Sequence, residues 1–364
     1  MNSSNATHLS RRLLDLKASK LKHVAFLMGL PSTGSKPELD TVIRHHLHDR
    51  QTPFHGGRVV SVDMGIRNLA FCVLDIPPLG PEPRLGKQPL DSPLTVSHWL
   101  KRDLLSAAVP VEDGPAEQPI DDATAKTEQS RRKRKPAVTA SIPKTAFTPS
   151  VLSKTAYDIT AELMSYKPSA ILIERQRFRS GGAAAIQEWT VRVNMLESMI
   201  WACLQTMRQT SKHGSDAFPS VHEVSPARVS RFWTAASNIS LRPTDGMLSP
   251  GSNDEALPPA NALERRARKV QKNDKIAIVR SWLDRVEPVD VSLAFNGEAA
   301  ETADAFGIPT SRASRKGGSA GSGEGVAPAG KLDDLADCLL QGVAWVRWEE
   351  NSRRLGRLLD DACD

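Results

Sequence analysis

Five acidic residues stand where packing gives a carboxylate no reason to be. Asp63 closes the apolar run Val59-Val60-Ser61-Val62, Glu174 closes Ala170-Ile171-Leu172-Ile173, and Asp333, Asp334 and Asp337 open the last apolar-periodic segment. Burying a carboxylate without a partner costs several kcal/mol, so something must offset that cost, and a divalent metal is the natural candidate. At about 100° per residue, Asp333 and Asp337 lie about 40° apart on a helix, whereas Leu335, Leu339 and Val346 point to the opposite side. Asp334 with Asp337 also puts two acids on one face, so both pairings stay open. Mg2+ is held by a few carboxylates and keeps water and phosphate oxygens as its other ligands. Two such ions roughly 4 Å apart can activate a water and stabilise the leaving 3′ oxygen during in-line displacement at phosphorus. Each acid also has an ordinary reading. Asp63 can form the turn before Gly65, Asp333 and Asp334 can be first-turn acids favoured by the helix dipole, and Glu174 can pair with Arg175 or Arg177.

Cations gather around the same positions. Arg175, Gln176, Arg177 and Arg179 follow Glu174, and Gly181-Gly182 precede a helix whose first amides can meet a phosphate. Arg265, Arg266, Arg268, Lys269, Lys272 and Lys275 put six cations within eleven residues. Phosphate contacts of this kind give affinity and salt dependence without sequence information. A solvated helix face is the ordinary reading of such a run.

These residues must be positioned by a small set of elements. Val59 to Val62 and Leu69 to Leu74, joined by a tight turn at Gly65 to Asn68, read as a hairpin, and Leu94 to Trp99 as a third strand. Thr148-Pro149 starts a helix carrying Leu152, Ala156, Ile159 and Leu163, which Lys167-Pro168 ends. Ala170 to Glu174 reads as a strand buried on both faces. A helix from Ala183 to about Met207, a strand at Val221 to Val224, and helices near 226–235, 262–286 and 331–358 follow. Three meandering strands and then alternating helix and strand predict a mixed α/β sheet with flanking helices. Ahead of it, Leu21, Val24, Ala25 and Met28, then Leu39, Val42, Ile43 and Leu47, mark two short helices, with Ser35 and Glu38 as a capping box for the second. That pair is too small for a core of its own, so it docks on the main domain or is a marginal binding module.

Composition bounds the rest. The 364 residues have ordinary globular composition, and 21 of the 48 glycines and prolines fall in insertions near 101–147, 237–260 and 307–330. The first of these holds an acidic stretch over 111–130 followed by the basic run Arg131 to Lys135, a pattern of solvated segments. A net charge of +6 admits a polyanionic partner. Cys72, Cys203, Cys338 and Cys363 are far apart, which argues against a disulfide framework or a zinc site. Without a long apolar run or a signal peptide, neither a membrane-spanning nor a secreted protein is expected.

Three stretches then carry a resemblance. Ser61-Val62-Asp63-Met64-Gly65-Ile66-Arg67-Asn68-Leu69-Ala70, Ile173-Glu174-Arg175-Gln176-Arg177-Phe178-Arg179 and Lys331-Leu332-Asp333-Asp334-Leu335-Ala336-Asp337-Cys338 resemble the fungal mitochondrial Holliday junction resolvases, relatives of bacterial RuvC. Val224 to Val229 and Lys272 to Lys275 resemble further stretches of that family. Residues Leu21, Leu27, Gly29, Leu30, Gly34, Lys36, Leu39 and Leu47 resemble the SAP motif, a helix–loop–helix DNA-binding module.

The resemblance implies a ribonuclease H-like fold over 55–358, preceded by a SAP-like segment over 1–50. It implies catalysis by Asp63, Glu174, Asp333 and Asp337, with those acids and Asp334 as candidate ligands of Mg2+ or Mn2+. DNA contacts would fall to Lys36, Arg67, Arg175, Gln176, Arg177, Arg179, Lys272 and Lys275. The implied activity is a structure-selective endonuclease that resolves four-way junctions by paired symmetric nicks, as a homodimer in mitochondria. Trp189, Met195, Leu196 and Trp201 can supply the dimer contact or belong to the core. Another ribonuclease H-like nuclease, acting on RNA–DNA hybrids or as a transposase, and a non-catalytic junction-binding protein remain alternatives. Cys338 stands where the fungal enzymes often carry serine.

Overall fold

In the computed structural model the described residues are Leu13, 16–49, 54–78, 93–104, 147–176, 188–211, 218–236, 272–284, 291–307 and 332–360. They form eight helices: α1 (Ala18–Leu27), α2 (Lys36–Asp49), α3 (Pro149–Ser165), α4 (Glu188–Thr210), α5 (Pro226–Ala236), α6 (Lys272–Leu283), α7 (Glu298–Gly307) and α8 (Leu332–Asp360). The strands are β1 (Gly57–Asp63), β2 (Leu69–Ile76), β3 (Leu94–Arg102), β4 (Ala170–Glu174), β5 (Ser220–Val224) and β6 (Leu293–Phe295).

One mixed sheet has the order β5-β4-β1-β2-β3-β6. The hairpin β1–β2 and the pair β2–β3 are antiparallel, while β4 lies parallel to β1 and β5 parallel to β4. This is the ribonuclease H-like arrangement, with β6 added parallel to β3 at the far edge. The central strands are apolar on both faces because both faces are covered. Val60, Val62, Phe71, Ile171 and Ile173 pack beneath α3 and α4. Val59, Ala70, Cys72, Leu74 and Leu172 pack beneath α8, which α5 and α6 cover in turn, while α7 packs on β3. The helix α8 was expected to bury one side. It is instead buried nearly all round, with Leu335, Ala336, Leu339, Leu340, Val343, Ala344 and Val346 all inaccessible, because it lies between the sheet and the other helices.

The expected strands and helices recur with small shifts. The strand β3 runs three residues past Trp99. Residues 183–187 and 262–271, expected to begin α4 and α6, lie outside the described residues, as do 105–146, 237–260 and 308–330. The short strand β6 and the helix α7 were not expected. Three residues are too few for a periodic signal, but Ala299, Ala303 and Phe306 form a stripe on α7, and Phe306 stacks on Trp99 with ring centroids 5.0 Å apart.

The N-terminal helices dock rather than stand free. Leu21, Val24, Leu27, Leu39 and Ile43 share a cluster with Leu355 of α8. Gly29 adopts φ +68° and lies against the Trp348 ring, where any side chain would overlap the indole. Arg228 donates to the Gly29 carbonyl at 2.6 Å, and Asn351 to the Leu27 carbonyl at 2.9 Å. Glu38 caps α2 by accepting from the Ser35 amide (2.7 Å) and hydroxyl (2.9 Å), which holds its carboxyl below the usual range. Among the described residues no helix is long and apolar enough to cross a membrane.

Candidate metal centre

Parallel neighbours end at the same edge of a sheet, so the last residues of β1 and β4 are brought side by side. Val62 pairs with Ile173, which sets Asp63 next to Glu174. The helix α8 begins over that same edge, with Asp337 one turn in. Carboxylate oxygens of Asp63, Glu174 and Asp337 lie within 4.8 Å of one another. Three elements far apart in sequence therefore converge on one point.

The electrostatics are those of a site short of positive charge. Burial, then the charges of Glu174, Asp337 and Asp334, push the Asp63 carboxyl well above its usual range, and a hydrogen bond with Glu174 adds to this. Burial also raises Asp337, against the pull of Lys275. Lysines partner the acids of α8: Lys275 binds Asp337 at 2.6 Å, Lys272 binds Asp333, and Lys101 binds Asp334. Lys101 and Lys275 are largely enclosed, whereas the Lys272 side chain is 79% exposed. The Lys272 ammonium is raised chiefly by its hydrogen bond to Asp333.

The donor set fits a hard divalent cation. All three converging groups offer carboxylate oxygen, the ligand type that Mg2+ prefers. The Cys338 thiol, one residue from Asp337, is fully buried, donates to the Leu335 carbonyl and is pushed up by burial. Asp63 and Glu174, acids crowded at one point, are a pair that a cation would hold as two ligands.

Among the other residues singled out in the sequence, Arg67 is half exposed and 3.6 Å from Asp103. Arg175 pairs with Glu223 at 3.1 Å beside the site, and the Gln176 amide donates to Glu197 at 3.3 Å. Burial raises the Glu197 carboxyl. Lys36 opens α2, in the docked N-terminal helices. Arg177 and Arg179 lie outside the described residues. Lys272 and Lys275, read as backbone contacts, are turned onto the acids of α8.

Lys101 escaped the sequence reading, although the register shows where it sits. Asp63 pairs with Ala70 and Ala70 with Lys101, so the lysine lies in the same cross-strand row as the acid. Ending the third strand at Trp99 hid that row. Ser61 and Gln341 were also passed over; Gln341 lies four residues after Asp337, on the same helix face.

A ribonuclease H-like sheet with acids clustered at the ends of β1 and β4 defines a broad class. Within it, the family described as Mitochondrial resolvase Ydc2 / RNA splicing MRS1 matches residues 59–355, and this chain belongs to that family. The Schizosaccharomyces pombe protein named Cruciform cutting endonuclease 1, mitochondrial, is 28% identical over 224 residues, spanning 61% of this chain and 69% of that relative. The crystal structure of the yeast mitochondrial Holliday junction resolvase Ydc2 aligns with 95% of this chain and 98% of its own at 22% identity, with a TM-score of 0.54, a likeness of fold.

Proposed function

We propose that the chain is a junction-resolving endonuclease that hydrolyses phosphodiester bonds at four-way DNA junctions in mitochondria, using Mg2+ held by Asp63, Glu174 and Asp337. The observation that carries this reading is the convergence of the three carboxylates in a chain of the resolvase family. Asp334 is the favoured fourth acid, because its charge acts on both Asp63 and Asp337, whereas that of Asp333 acts on Asp337 alone. Divalent ions held there would activate water and offset charge on the phosphate as the P–O3′ bond breaks.

The remaining tasks belong to the chain itself. Lys101 and Lys275 hold Asp334 and Asp337 in place, and their charge offsets the crowding of the acids. Arg175, beside Glu174 and more than half exposed, and Arg67, in the hairpin turn, would take backbone phosphates on either side of the cut. Lys36 and α2 would extend that track as a SAP-like module. A four-way junction has two-fold symmetry, so paired nicks call for two copies of the site. We assign the self-association face to α4, where Trp189 and Val191 are exposed and Val191, Met195, Met199 and Ala202 line a shallow groove.

The family description also names RNA splicing, which keeps a binding role without cleavage in view. A protein that only binds has no use for three crowded carboxylates, which cost stability when no cation joins them. The test is to offer a four-way junction, an RNA–DNA hybrid and plain duplex of matched sequence with Mg2+. Paired nicks confined to the junction support the proposal. Cutting only the hybrid would overturn it, and junction binding with no cleavage would favour the second reading.

A further inference from the structure

Gln341 is 1% exposed, in a turn of α8 whose neighbours are almost all apolar. Its Nε2 lies 3.1 Å from the Val62 carbonyl, 3.5 Å from the Leu172 carbonyl and 3.1 Å from Ser61 Oγ. Facing two carbonyl oxygens, that end of the side chain must be the amide nitrogen, since an oxygen there would be repelled. Val62 directly precedes Asp63, and Leu172 is two residues before Glu174. One carboxamide thus ties together β1, β4 and α8, the three elements that deliver the three acids.

The tie is doubled and has little slack. Ser61 passes the bond on by donating from Oγ to the Cys338 carbonyl at 2.8 Å, one residue from Asp337. At Gly342 a β-carbon would sit 2.6 Å from Leu74 Cδ1 and 3.2 Å from Ser61 Cβ, so helix and strand are as close as glycine permits. Gln341 also lines a small cavity together with Glu174, Asp337 and Lys275. A methionine would fill the same volume without any polar group to satisfy, so packing does not account for glutamine here.

We propose that Gln341, seconded by Ser61, is a positioning residue that fixes the height and rotation of α8 so that Asp337 meets Asp63 and Glu174 at the separation a cation requires. The inference rests on the metal-centre reading above. Outer groups that orient metal ligands typically change affinity by about 10-fold to 100-fold when removed.

The experiment is a titration of the full chain with Mn2+ alone, without DNA, followed by calorimetry and by the metal-induced rise in melting temperature. Asp63→Asn, Gln341→Met, Ser61→Ala and Thr160→Val are compared with wild type. Thr160 is a buried hydroxyl within α3 that donates to the Ala156 carbonyl, remote from the acids, and controls for a general loss of stability. Gln341→Met should weaken Mn2+ binding about 10-fold or more and leave four-way junction affinity in EDTA within about twofold. Ser61→Ala, which leaves the bonds from Gln341 to the two strand carbonyls in place, should weaken it by a smaller factor, and Thr160→Val not at all. An unchanged Mn2+ affinity in Gln341→Met, or an equal loss in Thr160→Val, overturns the proposal. If wild type binds no Mn2+, or Asp63→Asn binds it equally well, the metal-centre reading itself fails, which is a separate result.

Discussion

Replacing Asp63 with asparagine should stabilise the metal-free protein at neutral and alkaline pH. The oxygens of Asp63, Glu174 and Asp337 lie within 4.8 Å of one another. At an effective dielectric of about 20, two unit charges at that distance repel by about 3.5 kcal/mol. The raised affinity of the Asp63 carboxyl for a proton relieves part of this, so the realised gain is smaller, about 1–3 kcal/mol. For a domain of this size that corresponds to a rise in Tm of about 2–4 °C per kcal/mol. The sign follows from the direction of the shift. The Asp63 carboxyl is raised in the folded state, so the folded form holds its proton more tightly than the unfolded chain. Its contribution to stability is present below the ordinary aspartate range and is lost as pH rises through the raised folded value. Melting curves in EDTA from pH 4 to 9 should therefore show wild type and Asp63→Asn converging in acid and diverging, with the variant higher, in alkali. A variant that melts lower than wild type at pH 8, or a difference independent of pH, would refute the reasoning.

Three further outcomes follow from single contacts. Lys275→Met removes the partner of Asp337 from a pair that is about four-fifths enclosed; the metal-free protein should lose about 1–3 kcal/mol in denaturant titration, and saturating Mg2+ should recover part of it. Gly29→Ala forces a side chain into the Trp348 ring at a positive φ, so limited proteolysis should release the segment ahead of β1 faster while the sheet stays resistant. Gly342→Ala overpacks the contact between α8 and the β1–β2 hairpin and should cost about 1–3 kcal/mol, read by thermal melting.

Much of the scaffold was legible in sequence for plain reasons. The strands β1, β2 and β4 are continuous apolar runs closed by turn residues or an acid, and α3 has a proline in its first turn and a regular stripe, although Thr148 makes no side-chain cap bond. Asp63 and Glu174 stood out because each breaks an apolar run at its end. Long-range register was less accessible. Asp334 is held by Lys101, which comes from the far side of the hairpin, and only the antiparallel pairing of β2 with β3 brings it there. The two candidate acids Asp333 and Asp334 are equivalent by helical geometry. They differ in their partners, one facing Lys272 and the other Lys101, and no spacing along the chain encodes that difference. Gln341 passed as one polar residue in a helix because its role depends on two strand carbonyls that are distant in sequence. Docking of α1 and α2 was open for a similar reason, since the receiving surface is built from α5 and α8, both distant in sequence.

The central claim is that the acid cluster cuts four-way DNA with a divalent cation. It is tested most directly by incubating a labelled synthetic junction with wild type and with Asp337→Asn, each with Mg2+ and with EDTA, and mapping the nicks on all four strands. Wild type should give symmetric nicks on two opposed strands in Mg2+ alone, with both proteins still binding the junction in EDTA. Cleavage that persists in EDTA, or that Asp337→Asn performs at the wild-type rate, would contradict it.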